Sequence, residues 1–195
     1  MSHHIYHTRG LILGSIPIGE SNRFYKIFTE EMGLVWASAQ AVRMEKSKLR
    51  YSLQHFSWVT IDLVKGREVW RIISAREEIP YSLLKADSEH FKIFARLCSL
   101  ISRMVHGERQ EKDIFDDLYH LIIFLESTSL SERLYRCIET LAVARILLKL
   151  GYLEHTLSDD ITKAKGWSVE ILEKFEKDNE IVISKINEAL DTSHL

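Results

Sequence analysis

A chain of 195 residues with 46% hydrophobic and 28% charged side chains, 2 prolines and 8 glycines has room for one large domain or two small ones, and its composition excludes collagen-like, low-complexity and disordered chains. Stretches free of Asp, Glu, Lys and Arg, such as residues 32–42 and 10–19, fall short of the roughly 20 apolar residues that span a bilayer, so no membrane partner is expected. The net charge of −2 hides a split: residues 1–80 hold 11 Lys or Arg against 8 Asp or Glu, residues 81–195 hold 15 against 20, and the halves carry +3 and −5. Opposite signs imply different partners for the two halves.

The first half reads as five strands, because short runs rich in β-branched and aromatic residues alternate with glycine-containing turns. They are Ile5–Leu13, Arg23–Thr29, Leu34–Ala41, Phe56–Val64 and Glu68–Ala75, with Gly33 and Lys65-Gly66-Arg67 at tight hairpins. In the fourth strand, alternation places Val59, Ile61 and Leu63 inward and leaves Phe56, Trp58, Thr60, Asp62 and Val64 on an aromatic-bearing outer face. Five short antiparallel strands with a long connection between the third and fourth match a small Greek-key barrel of the OB type, and an SH3-like barrel satisfies the same count. In so small a barrel Trp36, and at least one of Trp58 and Trp70, is expected to be buried.

Beyond Pro80 the hydrophobic period changes from two to about 3.6. Ser88–His106, with Ser88 as N-cap, Asp113–Glu126, Ser131–Leu150, stopped at Gly151, and Ser168–Leu190 read as helices, and a shorter turn starts at Ser158. The expected fold class is therefore α+β: a five-stranded OB barrel over residues 1–80, followed by an all-α bundle over residues 81–195.

Few motifs carry covalent chemistry. Gly14-Ser-Ile-Pro-Ile-Gly19-Glu20-Ser21 copies the glycine spacing of a P-loop, but Glu20 stands where a lysine must meet phosphate, and the segment reads as a turn between two strands. The zinc-protease, hydrolase, dinucleotide and deaminase signatures are missing, and adjacent acidic pairs such as Asp116-Asp117 point different ways on a helix. The chain is expected not to be an enzyme. Cys98 and Cys137, 39 positions apart, build neither a disulfide framework nor a zinc ribbon, and both read as core residues. His3, His4 and His7 have no Cys or carboxylate beside them in sequence to complete a metal site, and no cofactor is expected.

The stronger constellation is basic. Arg43, Lys46, Lys48 and Arg50 meet only Glu45 within eight residues, and Tyr51, His55, Phe56 and Trp58 follow at once. Elsewhere in the barrel, Arg9, Arg23, Tyr25, Lys26, Trp36, Arg67, Trp70 and Arg71 interleave cations with rings. Such a surface suits single-stranded nucleic acid, since cations follow phosphates and rings stack on bases without reading sequence. Neither contact distinguishes DNA from RNA, and the same patch would also serve a carboxylate-rich protein partner.

The residues also resemble a family. Gly10-Leu11-Ile12-Leu13, Gly19-Glu20-Ser21-Asn22-Arg23, Phe28-Thr29, Gly33-Leu34-Val35, Ala41-Val42-Arg43, Ser47-Lys48-Leu49-Arg50 and Leu53-Gln54-His55-Phe56 follow, in order and spacing, the N-terminal domain of the bacterial recombination mediator RecO, and Leu148-Lys149-Leu150-Gly151-Tyr152 resembles a helix end of its C-terminal domain. The resemblance implies an OB-fold that binds and anneals single-stranded DNA, a helical domain that binds partners, and assistance in loading the RecA recombinase during recombinational DNA repair. The partners it implies are RecR, in some members RecF, and the acidic C-terminal tail of the single-stranded DNA-binding protein, in the cytoplasm. By the motif match, the DNA-binding surface falls on Arg23, Arg43, Lys48 and Arg50, with Lys26 and Lys46 added by their nearness in sequence. Many members carry a four-cysteine zinc site that this chain's two cysteines cannot form, so no metal is expected.

Overall fold

The computed structural model describes residues 4–67, 69–79, 88–153 and 166–192. Two compact units emerge. One holds the N-terminal strands together with residues 105–112, and the other holds residues 88–104 and those from 113 onward.

The first unit is a closed barrel of β1 (Ile5–Ile18), β2 (Asn22–Thr29), β3 (Gly33–Ala39), β4 (Trp58–Lys65) and β5 (Trp70–Glu77), in the order β1-β2-β3-β5-β4. The β3–β5 pairing is parallel and the others are antiparallel, which is the OB arrangement. The first strand is longer than its sequence pattern implied, because it continues through a bulge between Ile12 and Gly14 and pairs with β2 on both sides of it, Gly10 to Ile12 opposite Thr29 to Ile27. Before the bulge β1 runs along β4, from Ile5 opposite Val64 to Leu11 opposite Trp58. After it, Gly14 to Ile18 pair with Lys26 to Asn22. The segment from Gly14 to Ile18, expected as a turn, is therefore strand, and the turn shrinks to three residues after Ile18, where Gly19 adopts φ +57°.

Alternation fills the barrel with Ile12, Tyr25, Ile27, Val35, Ala37, Val59, Ile61, Leu63 and Trp70. Val59, Ile61 and Leu63 point inward as the pattern required. Trp58 and Val64 do not form an exposed aromatic face, being 1% and 4% exposed. Trp58 instead ends a row of outward cross-strand neighbours, Leu34 opposite Phe28, Phe28 opposite Leu11 and Leu11 opposite Trp58, all of them buried. Trp70 is buried as well, but Trp36 is 39% exposed, because its neighbours Val35 and Ala37 take the inward positions of β3.

A short helix, α1 (Leu49–Ser52), lies in the β3–β4 connection. Val42 and Leu53 anchor that connection in the core, with Leu49 packed against it. Residues 105–112 lie along the barrel: the Leu34 amide donates to the Gly107 carbonyl at 3.0 Å. Only Ala37 and Ser38 of β3 pair with β5, so this segment occupies an edge of β3 that the sheet leaves open. The approach is close. A Cβ on Gly33 would lie 1.9 Å from the Arg109 carbonyl oxygen, and Gly33 has φ +65°. Charges fasten the same segment. Glu30 accepts from Arg9 Nε at 2.7 Å and from Lys112 Nζ, and these partners hold its carboxyl down to about 2.

The second unit contains α2 (Ser88–Met104), α3 (Lys112–Ser127, starting at the junction), α4 (Glu132–Lys149), α5 (Val169–Phe175) and α6 (Asn179–Thr192). Helix α4 packs against α2, α5 and α6. It stops at Leu150, followed by Gly151 at φ +80°, as its sequence implied. The expected single helix Ser168–Leu190 is broken by a 3₁₀ turn at Glu176–Asp178, none of whose residues is buried. Ser168 caps α5, accepting from the Ile171 amide. Cys98 and Cys137 are buried and unpaired with each other. Arg145, 1% exposed, joins Asp117 at 3.0 Å and the Gly166 carbonyl at 3.1 Å, with its guanidinium 4.3 Å from the Trp167 ring. The Ser88 side chain and the turn expected from Ser158 lie outside the described residues.

Gly33→Ala should cost about 2 kcal/mol or more, combining a left-handed backbone with displacement of residues 105–112. Gly107→Ala, where nothing crowds the Cβ, should cost only about 1 kcal/mol, and urea denaturation compares the two. For Glu30, a carboxyl near 2 when folded and 4.5 when unfolded adds stability that is complete above pH 4.5 and disappears as the pH falls toward 2. Wild type should exceed Glu30→Gln by about 2 to 3 kcal/mol at pH 6 and converge with it in acid, as read from denaturation midpoints.

Candidate nucleic-acid interface

On β2 and β3 the residues between the inward ones face out, and the register sets Lys26 opposite Trp36 and Phe24 opposite Ser38. The Phe24 and Trp36 rings stack with centroids 5.1 Å apart and planes 21° from parallel. Lys26 Nζ stands 5.9 Å from the Trp36 ring, and burial lowers its pKa from the ordinary lysine value. Across the sheet, β1 sets Gly14 beside Lys26 and Ile16 beside Phe24. A Cβ at Gly14 would meet nothing within 4 Å, so the floor beside Lys26 is open. Ile16 is 52% exposed and Ile18 44%. The result is an outward apolar platform with one ammonium at its edge.

Arg23 lies at the barrel end, where its Nε donates to Ser15 Oγ at 3.0 Å. Arg43 comes to the same end because the β3–β4 connection is fastened to the β1–β2 hairpin. The Ala41 amide donates to Asn22 Oδ1 at 2.8 Å, the Arg43 amide to the Ser21 carbonyl at 3.0 Å, and Arg43 Nη1 to the Gly19 carbonyl at 3.1 Å. Ala41 takes φ +51° to make this junction. Lys46, Lys48 and Arg50 are exposed farther along the connection, near Tyr51, which is 73% exposed. Of the six cations singled out in the sequence, Arg23 and Arg43 thus share one barrel end, Lys46, Lys48 and Arg50 share one connection, and Lys26 sits among rings on the strand face.

The sequence reading missed Phe24, Ile16 and Ile18, although the alternation of β2 places Phe24 on the outward side with Lys26. It also treated Trp36 as core. Chemically, stacked rings beside an ammonium offer a face for a base and a charge for the adjoining phosphate. The outer face of strands 2 and 3 is where OB barrels take oligonucleotides and oligosaccharides. Among the described residues no three of His, Cys, Asp and Glu are grouped to hold a metal ion, and no helix is long and apolar enough to cross a membrane. His7 instead pairs with Asp62 at 2.6 Å.

Comparison with known proteins finds that residues 1–77 match the family model described as Recombination protein O N terminal. Curated relatives described as DNA repair protein RecO include one from Gloeothece citriformis, 28% identical over 67% of this chain and 46% of the relative. Another, from Clostridium novyi, is 26% identical over 76% of this chain and 57% of the relative. A third, from Desulfitobacterium hafniense, is 34% identical over 40% of this chain and 29% of the relative. The chain spans about half the length of the first of these relatives. The exposure of Trp36 has a direct spectroscopic consequence: Trp36→Phe should remove most of the acrylamide-quenchable indole emission, whereas Trp58→Phe should leave that fraction unchanged.

Proposed function

We propose, from the match of residues 1–77 to the N-terminal family model of Recombination protein O, that this chain acts as a RecO-family protein, binding single-stranded DNA and annealing complementary strands in recombinational DNA repair. The observation that carries the proposal is the outward Phe24–Trp36 stack with Lys26 beside it, on the barrel face that OB proteins use for oligonucleotides. Folding alone gives no reason to leave two stacked rings on a surface, whereas a base laid on them gains roughly 1 to 3 kcal/mol. Arg23, Arg43, Lys46, Lys48 and Arg50 then hold the backbone, without sequence preference. Annealing needs no catalytic group: two polyanions brought onto one basic surface repel each other less, and base pairing drives the rest. The work is a mediator's and not an enzyme's. Assistance to RecA loading, and binding of RecR, of RecF and of the acidic tail of the single-stranded DNA-binding protein by the helical unit, extend the proposal by family resemblance, and the cytoplasm is the compartment where these partners meet.

Fluorescence anisotropy of a labelled oligothymidylate across a salt series tests the proposal. If about four phosphates are neutralised, the logarithm of affinity should fall with that of salt at a slope of roughly −3. Lys48→Glu with Arg50→Glu should weaken binding alike for all sequences and flatten the slope, and Trp36→Ala should cost roughly 1 to 3 kcal/mol with the slope unchanged. A flat salt dependence, or no binding at low salt, would leave the barrel as a protein-interaction module.

A further inference from the structure

The β4–β5 hairpin joins Lys65, the last residue of β4, to Trp70, the first of β5, and these two are cross-strand partners. Both offer donors to one carboxylate. Lys65 Nζ lies 2.8 Å from Glu108 Oε2, and Trp70 Nε1 donates to Glu108 Oε1 at 2.9 Å. Lys65 also stands 5.0 Å from the Trp70 ring. Trp70 is 4% exposed and part of the barrel core, so its indole N–H is held in place by packing and has no freedom to seek another partner. An ammonium and an indole N–H can only donate, and the group they converge on can only accept. The same two donors would serve a phosphate's oxygens equally well.

Position favours that exchange. Trp70 pairs with Ala37, next to Trp36 in β3, and Arg67 and Arg71 are exposed on the same hairpin. The β4–β5 loop is one of the two that flank the ligand face of an OB barrel. Glu108 meanwhile is not needed to hold residues 105–112 in place, because the Leu34–Gly107 hydrogen bond and the Glu30–Lys112 pair hold that segment independently.

We propose that Lys65 Nζ and Trp70 Nε1–H form a phosphate-binding site for the nucleic-acid backbone, and that the Glu108 carboxylate occupies it in the free protein and must be displaced when a strand binds. Glu108 thereby lowers the affinity of the barrel for single strands. The inference rests on the nucleic-acid reading of the barrel, and names a further contact and its internal competitor.

Anisotropy titration of the full chain with labelled oligothymidylate tests it, using Glu108→Gln, Glu108→Asp and Glu108→Gln with Lys65→Gln. Glu108→Gln should bind roughly three- to tenfold tighter than wild type, with a salt slope steeper by about 0.7, the value for one added phosphate contact on a single strand. Glu108→Asp keeps the charge but shortens the reach, and should gain a smaller part of the affinity. The double variant should lose the gain. Equal or weaker binding by a folded Glu108→Gln would overturn the inference, as would a gain that survives loss of Lys65, which would place the new contact elsewhere, or a gain that is absent in Glu108→Asp, which would report net charge alone. If Glu108→Gln does not fold, Glu108→Asp decides by itself. Failure of the underlying reading looks different: wild type and all variants would then be silent at low salt, and the inference would fall with it.

Discussion

The barrel depends on a hydrogen-bonded edge that its own five strands do not supply. β5 reaches β3 only at Ala37 and Ser38, so the amides before them would face water or an apolar void. The carbonyl of Gly107 takes the Leu34 amide, and the chain arrives there from more than 70 positions away in sequence. Unpaired strand edges invite association with other chains, and covering them is a recurrent way of preventing it. The covering strip demands Gly33, since any side chain there would meet the Arg109 backbone. One contact thus fixes a glycine, places the Glu30–Arg9–Lys112 cluster and delivers Glu108 to the β4–β5 hairpin.

The outer surface of the barrel divides in two. At one level, Leu34, Phe28, Leu11 and Trp58 form a buried row of cross-strand neighbours. At the other, beyond the β1 bulge, the outward positions belong to Ile16, Phe24, Lys26 and Trp36, and they stay accessible. The strands of both levels are the same and the residue types are alike. What differs is cover. Contiguous apolar surface left open on a folded protein marks a place where something else binds, and the cations gathered at the adjoining barrel end and along the β3–β4 connection give that something a negative charge.

Much of this was legible beforehand where a local rule decides. Period-two alternation located the strands and put Val59, Ile61 and Leu63 inside, and Gly151 ended its helix as written. Small-barrel packing buries Trp58 and Trp70 as expected but not Trp36, and alternation puts both Trp36 and Trp58 on the outer side of their strands, for one reason. Alternation tells which side of a strand a residue is on, but not whether that side is covered. The β1 bulge was illegible for a related reason: a glycine in a strand pattern signals either a turn or a bulge, and only the partner strand chooses. Among the site residues, the basic run from Arg43 to Arg50 was visible as composition, whereas Phe24 became a candidate only through its register with Ser38 and its stacking on Trp36. Glu108 carried no signal at all, since a lone acidic residue after a helix reads as solvated surface.

Hydrogen exchange of the full chain, with and without a single-stranded oligonucleotide at low salt, tests directly where the strand lies. Protection confined to the end of β1, β2, β3 and the connection carrying Lys46, Lys48 and Arg50 is expected if the outward platform and its cations form the interface. Protection appearing instead on α4 to α6, with those barrel segments unchanged, would contradict it.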